Sequence, residues 1–595
     1  MNKVEMFHSA AIKHFNFFKD TTSLDALYVK SISLKDNMGF LVPVPKLHLE
    51  NQELIELLTV WRNENKHVYP SQFTATPEST KSWLKTRLLE TPDRMLFLIY
   101  NKVGKLVGHI GYANVLLGVK ENKCLLEIDN VIRGIKEIEP GIMSNAMNSL
   151  IDWANEKLLP DEIYLRVFSD NKHAIDFYLK NSFIKNNLIP LYKETRTDGV
   201  YFSEEPKSSN LKPEAEFQKM TYSPSAKKMG DELILTAGPS ISAMETYYAY
   251  DAAKTGWNNK WNFYIKKFET EFSEYIGVQH ALSTSSCTGA LHLALLTLGI
   301  GAGDEVIVPD ITWVATANAV AYTGATPIFA DIDQNTWCLD PESVKKKITE
   351  KTKAIMPVHL YGHSVDMDSI MKIARDNKLY VVEDAAPAIG ASWNGKKTGS
   401  FGDFAAFSFQ GAKLTVTGEG GMLVTNNKDL YLKAYSLWDQ GRDLNKTFWI
   451  NETGWKYKMS NVQAAIGLGQ LQRVEELIHA KRRVFDWYHQ NLKNNKNIKL
   501  CYEPKNSRSI YWMSSLQVLP TSKLNRDQLR DELKKRNVDT RPVFPAISRY
   551  PIWKYTPEVQ PIANEIGNTA INLPSGVCLS KDQVEYVCKM INELT

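Results

Sequence analysis

The sequence has few cysteines, almost no net charge and no long apolar run. Only six of its 595 residues are cysteine, and no two form a Cys-x-x-Cys pair, so neither a disulfide framework nor a metal site is indicated. The 71 Lys and Arg residues nearly cancel the 67 Asp and Glu residues, which argues against a nucleic-acid partner. No run approaches the ~18 apolar residues that span a bilayer, and the N-terminus lacks the apolar segment of a signal peptide. We therefore expect a cytoplasmic protein without a membrane partner.

The chain is too long for one hydrophobic core, because single cores rarely exceed roughly 250–300 residues. Its 43% hydrophobic and 23% charged residues are typical of globular proteins. Residues 196–228 are rich in Ser, Pro, Glu and Lys and lack a sustained apolar period, which predicts a linker. This divides the chain into domains at 41–195 and 229–595. Residues 1–40 show no clear period and are left unassigned.

The periodic segments of residues 41–195 predict an α+β domain. Two amphipathic helices are followed by a three-strand meander, a helix, a strand and a last helix. The predicted segments are 51–65, 78–89, 95–100, 105–113, 124–132, 142–158, 162–167 and 171–180.

This order resembles the GNAT acetyltransferase superfamily. The segment DNKHAIDFYLKNSF at 170–183 is similar to the superfamily's N-x-x-A-x-x-x-Y-x-x-x-G-F pattern, with Ser182 in place of the glycine. WRNE at 61–64 resembles members that acetylate the amino group of nucleotide-linked amino sugars. The resemblance implies acetyl-CoA as a cosubstrate.

A helix N-terminus presents free N–H groups and partial positive charge, which suit the pyrophosphate of coenzyme A. The loop 133–141 would provide this cradle, although it departs from the usual R/Q-x-x-G-x-G/A sequence. We expect Gly141, at the start of the following helix, and Asn171 to contact the cosubstrate.

Two side chains are candidates for acid and base chemistry in the acetyltransferase-like half. Tyr178 would protonate the departing thiolate, and Glu127 or Asp129 would accept a proton from the attacking amine. The alternatives are a packed helix aromatic for Tyr178 and a solvated strand residue for Glu127.

Strand-like and helix-like segments alternate from residue 233 onward, which predicts a mostly parallel sheet covered by helices on both faces. Active residues in such sheets lie beyond the carboxyl ends of the strands. Strands are predicted at 305–308, 327–330, 353–358, 379–383, 405–409 and 422–425, and helices at 288–298 and 344–348.

Three segments follow this rule. Asp384 follows a strand and is either a buried functional carboxylate or a helix N-cap. Lys413 lies between a strand and the glycine-rich segment 417–421, and is either a Schiff-base amine or a solvated lysine. Residues 285–290 form either a phosphate cradle or a helix cap. Together the segments supply the amine, carboxylate and phosphate donors that pyridoxal phosphate requires, and Trp313 supplies an aromatic face.

These residues resemble the DegT/DnrJ group of fold-type-I, pyridoxal-phosphate-dependent nucleotide-sugar aminotransferases. Two of the similar segments are VVEDAAPAIGA (381–391) and FSFQGAKLTVTGEGGMLVTNN (407–427). The others are 303–333, 357–370, 454–471, 541–547 and 571–576. Within the group the chain looks closest to the perosamine-forming members, which aminate C4 of a GDP-linked 4-keto-6-deoxymannose.

The resemblance implies roles for the residues around the cofactor ring. Lys413 would bind the cofactor covalently and later move the proton between the substrate and the cofactor. Asp384 would keep the ring nitrogen protonated, and Trp313 would stack on the ring. The sugar 3-dehydratases of this family have histidine in place of the lysine, so Lys413 favours transamination.

The resemblance also implies the phosphate contacts. Ser408 would bind the phosphate together with Thr288 and the N–H of Gly289. Lys456 takes a position from which many members reach the partner subunit's cofactor phosphate, and this implies a homodimer with shared sites. Cys287 is interpreted as structural.

Two positions depart from the usual family residues. Pro387 replaces a Gln, His or Glu near the cofactor and the sugar, and Gln410 replaces a frequent His or aromatic residue.

The sequence thus predicts a bifunctional α/β enzyme of nucleotide-sugar metabolism. The second domain would transfer an amino group from glutamate to a nucleotide-linked 4-keto-6-deoxyhexose, and the first would N-acetylate the product. Two alternatives stay open: a first domain that is a non-catalytic binding or assembly module, and a different pyridoxal-phosphate-dependent sugar reaction.

Overall fold

The structure is a computed structural model that describes residues 3–35, 38–116, 123–135, 137–206, 211–223, 233–443 and 445–595. The chain forms two compact units: unit 1 consists of residues 1–227 and 242–244, and unit 2 of residues 228–241 and 245–595. In the described residues, no helix combines the length and apolar character needed to cross a membrane.

Unit 1 is a mixed sheet with helices, as the sequence predicts. The helices are α1 (Lys3–Lys19), α2 (Leu24–Val29), α3 (Gln52–Glu64), α4 (Pro77–Trp83, continued by a π-helical turn at Leu84–Leu89), α5 (Ile142–Lys157) and α6 (Lys172–Lys180). The strands are β1 (Ile32–Ser33), β2 (Gly39–Pro43), β3 (Ser71–Phe73), β4 (Met95–Asn101), β5 (Leu106–Ala113), β6 (Leu125–Arg133), β7 (Glu162–Phe168), β8 (Phe183–Arg196), β9 (Gly199–Ser203) and β10 (Ala215–Tyr222). They lie in the order β1-β2-β4-β5-β6-β7-β10-β8-β9-β3, and only the β6–β7 pair is parallel.

The segment 1–40, which the sequence left unassigned, contributes helix α1 to the core of unit 1. Apolar residues recur at helical spacing along this helix and form one buried stripe. The stripe consists of Val4, Phe7, Ala11, Phe15 and Phe18. Phe15 stacks on Tyr112 and Phe18 contacts Phe97, so the helix covers the middle of the sheet.

The predicted linker at 196–228 is wrong, because most of its described part belongs to the sheet. Strand β9 pairs with β8, and strand β10 lies between β7 and β8 and pairs with both. Phe217 and Met220 on β10 are buried, and their neighbours are polar, so the strand has no long apolar run. The Ser-, Pro- and Lys-rich parts at 207–210 and 224–232 lie outside the described residues.

The position of β10 predicts where unit 1 can be cut. A shortened chain of residues 1–223 should fold, whereas one of residues 1–196 should not, because it leaves two strand edges unpaired. Losing the burial of Phe217 and Met220 alone costs about 1.5–3 kcal/mol each, a large part of the roughly 5–15 kcal/mol that stabilises a domain. Circular dichroism melts of both chains test this, and a cooperative transition in the shorter one would contradict it.

Unit 2 contains twelve α-helices and fourteen strands in its described residues. The helices are α7 (Ala243–Thr255), α8 (Phe263–Ile276), α9 (Cys287–Thr297), α10 (Ala315–Tyr322), α11 (Pro341–Lys347), α12 (Met367–Asp376), α13 (Lys428–Trp438), α14 (Asn461–Gln472), α15 (Val474–Leu492), α16 (Arg526–Lys535), α17 (Pro561–Thr569) and α18 (Lys581–Leu594). The strands are β11 (His280–Thr284), β12 (Glu305–Pro309), β13 (Thr326–Ala330), β14 (Thr352–Ile355), β15 (Tyr380–Asp384), β16 (Ser392–Trp393), β17 (Lys396–Lys397), β18 (Phe404–Ser408), β19 (Gly421–Thr425), β20 (Ile498–Leu500), β21 (Ser507–Arg508), β22 (Ser515–Val518), β23 (Arg541–Pro542) and β24 (Ala570–Asn572).

The main sheet of unit 2 confirms the predicted mostly parallel arrangement. Its seven strands lie in the order β11-β19-β18-β15-β14-β12-β13, and the pairs from β18 to β13 are all parallel. Strand β19 runs antiparallel to both of its neighbours. All six predicted strands are present, with ends within three residues of the prediction.

A second, antiparallel sheet in unit 2 has the order β20-β22-β24-β23. It shares a core with α15, α16 and α18, which includes Val484, Leu516, Leu529, Ile571 and Val587. The carboxyl ends of β15 and β18, which pair in parallel, meet at one edge of the main sheet.

Candidate active sites

Asp384 ends strand β15 and carries a buried carboxylate. Its Oδ2 accepts a hydrogen bond from Thr316 Oγ1 at 2.7 Å, and its Oδ1 accepts one from the N–H of Ala386 at 3.1 Å. Burial raises the pKa of Asp384, against the opposing effects of these hydrogen bonds and of the charge of Lys413. Turns rather than a helix follow β15, so the alternative interpretation as a helix N-cap is wrong.

Lys413 lies in the turn after β18 and is partly buried. Its Nζ is 4.0 Å from the centre of the Trp512 ring, and no described residue accepts a hydrogen bond from it. Burial lowers the pKa of Lys413, although Asp384 and Cys287 act in the opposite direction. The alternative of a lysine extended into solvent is wrong.

The amine and the carboxylate fit pyridoxal phosphate. A lysine with a lowered pKa is more often neutral, and the neutral amine is the form that attacks an aldehyde. A buried carboxylate retains its charge best opposite a cation, such as a protonated ring nitrogen. Asp384 ends β15 and Lys413 follows β18, the parallel neighbour of β15, so both groups lie at the same edge of the sheet.

The N-terminus of α9 is capped by its own sequence. Ser286 Oγ accepts a hydrogen bond from the N–H of Gly289 at 3.1 Å, so Ser286 caps this helix, and the phosphate role of the segment stays a prediction. The predicted use of this N–H for a phosphate therefore competes with the cap. Thr288, in the first turn, is half-buried.

Ser408 lies at the carboxyl end of β18, close to this helix start. It pairs with Gly421 across the β18–β19 ladder. A Cβ on Gly421 would lie 2.6 Å from the carbonyl carbon of Ser286, so glycine is needed for this close approach. The hairpin thereby brings the predicted phosphate ligands Ser408 and Thr288 to the same region.

Trp313 and Lys456 are the exposed members of the cofactor-binding residues predicted for unit 2. Trp313 follows β12 and precedes α10, is 59% exposed, and its ring centre is 5.7 Å from that of Phe544. Lys456 Nζ lies 3.5 Å from Asp439 Oδ1. Its predicted contact with a partner subunit stays a prediction.

The two departures from the family residues lie beside the Asp384 and Lys413 segments. Pro387 is in the turns that follow β15. Gln410 Oε1 accepts a hydrogen bond from the N–H of Ala412 at 2.9 Å, and the Gln410 carbonyl accepts one from the N–H of Lys413 at 2.8 Å. Gln410 therefore shapes the turn that presents the lysine.

Sequence reasoning missed Thr316 and Trp512. Thr316 lies three residues after Trp313, in the first turn of α10. This helix begins shortly after strand β12, and that position is a signal from which Thr316 could have been predicted. Trp512 lies almost a hundred residues beyond Lys413 in an apolar stretch, and no local pattern marks it.

The site of unit 1 lies where β6 and β7 separate. The two strands pair in parallel only as far as Glu127 and Tyr164, although both continue beyond this point. Strand β6 is also bulged near Asn130, whose φ is +52°. A larger cavity of about 960 Å³ and a smaller one of about 300 Å³ lie here. Both are lined by Tyr69, Pro70, Glu127, Asp129, Asn130 and Arg166.

Glu127 is a buried, paired carboxylate. Arg166 Nε donates to its Oε1 at 2.8 Å and Arg166 Nη2 to its Oε2 at 3.0 Å, and Asn114 also donates to Oε2. Burial raises the pKa of Glu127, while Arg166 lowers it. The alternative of a solvated strand residue is wrong, and sequence reasoning missed Arg166, which lies 39 residues away on β7.

Tyr178 is both packed and close to the cavity. It is 8% exposed and its ring contacts those of Phe177 and Phe183, yet it lines the larger cavity. Burial raises the pKa of its phenol, and the charge of Asp129 adds to this. The phenol therefore stays protonated at neutral pH, as a proton donor must.

Gly141 and Asn171 begin the two helices beside the larger cavity. Gly141, with φ +86°, is the N-cap of α5, makes no side-chain capping bond, and has open space where a Cβ would lie. Asn171 caps α6 by accepting the N–H of Ala174 at 3.1 Å. Residue 136 of the loop 133–141 lies outside the described residues.

Comparisons with known proteins give a different family for each half of the chain. The DegT/DnrJ/EryC1/StrS aminotransferase family matches residues 239–592, and an acetyltransferase (GNAT) domain matches residues 48–185. The chain is 44% identical over 355 residues to a GDP-perosamine synthase of Escherichia coli O157:H7, which covers 60% of this chain and 96% of the relative. It is 41% identical over 364 residues to a GDP-perosamine synthase of Caulobacter vibrioides, which covers 61% and 98%.

Solved structures match the same part of the chain. A crystal structure of DesI in the presence of its TDP-sugar product is 29% identical with a TM-score of 0.57, and the match covers 62% of this chain and 94% of that one. A 3-amino-5-hydroxybenzoic acid synthase is 27% identical with a TM-score of 0.57, over 60% and 97%. The chain therefore belongs to the DegT/DnrJ/EryC1/StrS family of pyridoxal-phosphate-dependent sugar aminotransferases and carries a GNAT acetyltransferase domain on its N-terminal side.

Proposed function

We propose that the chain makes an N-acetylated amino sugar in two steps. Unit 2 transfers an amino group from glutamate to C4 of a nucleotide-linked 4-keto-6-deoxyhexose, and unit 1 then acetylates that amine with acetyl-CoA. The similarity to two GDP-perosamine synthases over nearly their whole length supports the first step. The GNAT domain on the same chain supports the second.

The observation that carries the proposal is the amine of Lys413, which no described residue hydrogen-bonds, just beyond β18, together with the buried carboxylate of Asp384 at the end of the neighbouring parallel strand β15. Pyridoxal phosphate, when bound, supplies an electron sink for the carbon from which a proton is removed. Lys413 holds this cofactor through its ε-amino group and, once released, moves the proton to and from the substrate carbon. Asp384 holds the proton at the ring nitrogen, and Thr316 fixes the direction of its carboxylate.

The remaining residues of the unit 2 site bind and orient. Ser408 and Thr288, with the N–H of Gly289 once it leaves its cap, bind the phosphate. Trp313 covers one face of the ring. Lys456 reaches the phosphate of the partner subunit in a homodimer.

In unit 1, the amine of the new sugar attacks the thioester carbonyl, so that a C–N bond forms as the C–S bond breaks. Glu127 accepts the proton that the amine loses, and Tyr178 supplies one to the departing thiolate. The N-terminus of α5 at Gly141, together with Asn171, binds the pyrophosphate of acetyl-CoA. The enzyme would work in the cytoplasm.

A coupled assay tests the proposal. The purified chain is given GDP-, dTDP- or UDP-linked 4-keto-6-deoxyhexoses and glutamate, with and without acetyl-CoA, and the products are identified by mass. We expect an amino sugar without acetyl-CoA and its N-acetyl derivative with it. An amino sugar that never consumes acetyl-CoA would favour a non-catalytic unit 1, and a sugar of another mass would favour a different cofactor reaction.

Asp384→Asn is expected to slow amino transfer roughly 10- to 150-fold, because a hydrogen bond to a charged group contributes about 1.5–3 kcal/mol. The amide has the same shape, and its oxygen can accept from the N–H of Ala386 while its NH2 group donates to Thr316 Oγ1, so folding should be unaffected. Single-turnover kinetics measure the effect. Asp376→Asn, an exposed pair with Lys372, is the matched control and should leave the rate unchanged. Equal rates for Asp384→Asn and the unmodified enzyme would contradict the assigned role.

A further inference from the structure

The ε-amino group of Lys413 lies against the face of a single indole. Its Nζ is 4.0 Å from the centre of the Trp512 ring, a distance at which an ammonium is attracted to the π face. Trp512 is 6% exposed, and its Nε1 donates to the carbonyl of Ala412 at 2.8 Å. Ala412 directly precedes the lysine. The indole is therefore hydrogen-bonded to the main chain next to Lys413 and also lies over the Lys413 amine.

The main chain of Trp512 is held by a second buried lysine. Lys481, on α15, is 4% exposed, and its Nζ donates to the carbonyls of Trp512 at 2.9 Å and Ser575 at 2.5 Å. No carboxylate among the described residues forms an ion pair with it, and burial lowers the pKa of Lys481 to about 7. A buried amine is costly unless it is hydrogen-bonded. Here its two hydrogen bonds tie the main chain at Trp512 to the main chain at Ser575.

We propose that Trp512 is a positioning residue for Lys413, and that Lys481 holds Trp512 in place. The indole covers the amine, restricts its rotation and stabilises its charged form. The inference relies on the proposed function only for the role of Lys413 as the amine that works on the cofactor.

The electrostatics of the site give the indole a definite task. The ionisable groups that face the Lys413 amine are Asp384 on β15 and Cys287 on α9, and both raise its pKa, while burial lowers it. The π face of Trp512 acts in the same direction as the two acids but adds no charge. Removing the ring should therefore lower the pKa of Lys413.

The experiment measures this pKa on the full-length protein after its cofactor is removed. Reductive methylation of Lys413 is followed by peptide mass spectrometry across the pH range in which lysines titrate. Trp512→Leu should lower the pKa of Lys413 by about one unit, and Trp512→Phe should lower it less, because a smaller π face remains. An unchanged or raised pKa in both variants would overturn the proposal.

The role of Lys481 is tested by Lys481→Met, alone and combined with Trp512→Leu. If Lys481 acts through the indole, its replacement lowers the pKa of Lys413 on its own and has no further effect once the indole is gone. A rise, which the loss of a nearby positive charge alone would cause, or an equal fall in both backgrounds would overturn this part.

Controls separate the effect from unfolding and from the proposed function. Trp449→Leu, at a 56% exposed tryptophan, should leave the Lys413 pKa unchanged, and the exposed Lys372 serves as an internal reference in every sample. Thermal melts confirm folding, and Trp512→Phe carries the test if Trp512→Leu does not fold. Since no cofactor is present, the result stands apart from whether Lys413 binds pyridoxal phosphate.

Discussion

Lys413→Ala abolishes amino transfer and leaves acetyl transfer intact. In the proposed function the amine holds the cofactor and moves the proton. Proton transfer alone accounts for about 10²–10⁴ in rate, so we expect a loss of at least about 10⁴-fold. The fold should survive, because no described residue hydrogen-bonds the amine. Borohydride treatment followed by peptide mapping should place the cofactor on residue 413 of the unmodified chain and nowhere in the variant.

A matched control exists in the same unit. Lys397 also lies over an aromatic ring, with its Nζ 3.4 Å from the centre of Tyr275, and is partly buried. Lys397→Ala should retain both the borohydride-fixed cofactor and amino transfer. Acetylation by Lys413→Ala is measured with a chemically supplied amino sugar. Residual amino transfer near the normal rate in Lys413→Ala would refute the assignment of unit 2.

Much of unit 2 is predictable because its strands are buried on both faces. Such strands are short continuous apolar runs, and they stand out from the helical segments between them. The rule that active groups follow parallel strands then leads to Asp384 and Lys413. It does not lead to Trp512, because its contact with Lys413 depends on how a distant loop packs.

Unit 1 shows where local patterns fail. Strand β10 has only eight residues, and its buried positions, Phe217, Gln218 and Met220, do not follow a strand period. It is central because it pairs with strands that precede it in the chain. Helix α1 does carry a helical period, but the exposed apolar residues Met6 and Phe17 lie outside its buried stripe and obscure it. The partner of Glu127 on β7 could not be read at all, because side-chain pairs across a sheet depend on the register.

Arg166→Met tests the ion pair between Arg166 and Glu127, and we expect it to reduce the stability of unit 1 strongly. Glu127 would lose both hydrogen bonds from the guanidinium and remain buried, and removing one partner of a buried pair costs about 3–5 kcal/mol. We expect the free energy of unfolding of unit 1 and the rate of acetyl transfer to fall, while amino transfer persists. Hydrogen exchange of the β6 and β7 peptides in the full-length chain measures the loss. Arg196→Met, in an exposed pair with Glu194, is the control and should have little effect.

The pH dependence of this loss separates charge from packing. Arg166 lowers the pKa of Glu127 and so opposes the effect of burial, and its removal therefore raises that pKa further. At low pH Glu127 is protonated in both proteins and the difference in stability should be small. As the pH rises, the carboxylate ionises without a partner only in the variant, and the difference should grow. Glu127→Gln combined with Arg166→Met should remove this pH dependence, since no buried charge remains, whereas a loss independent of pH would mean that Arg166 acts by packing alone.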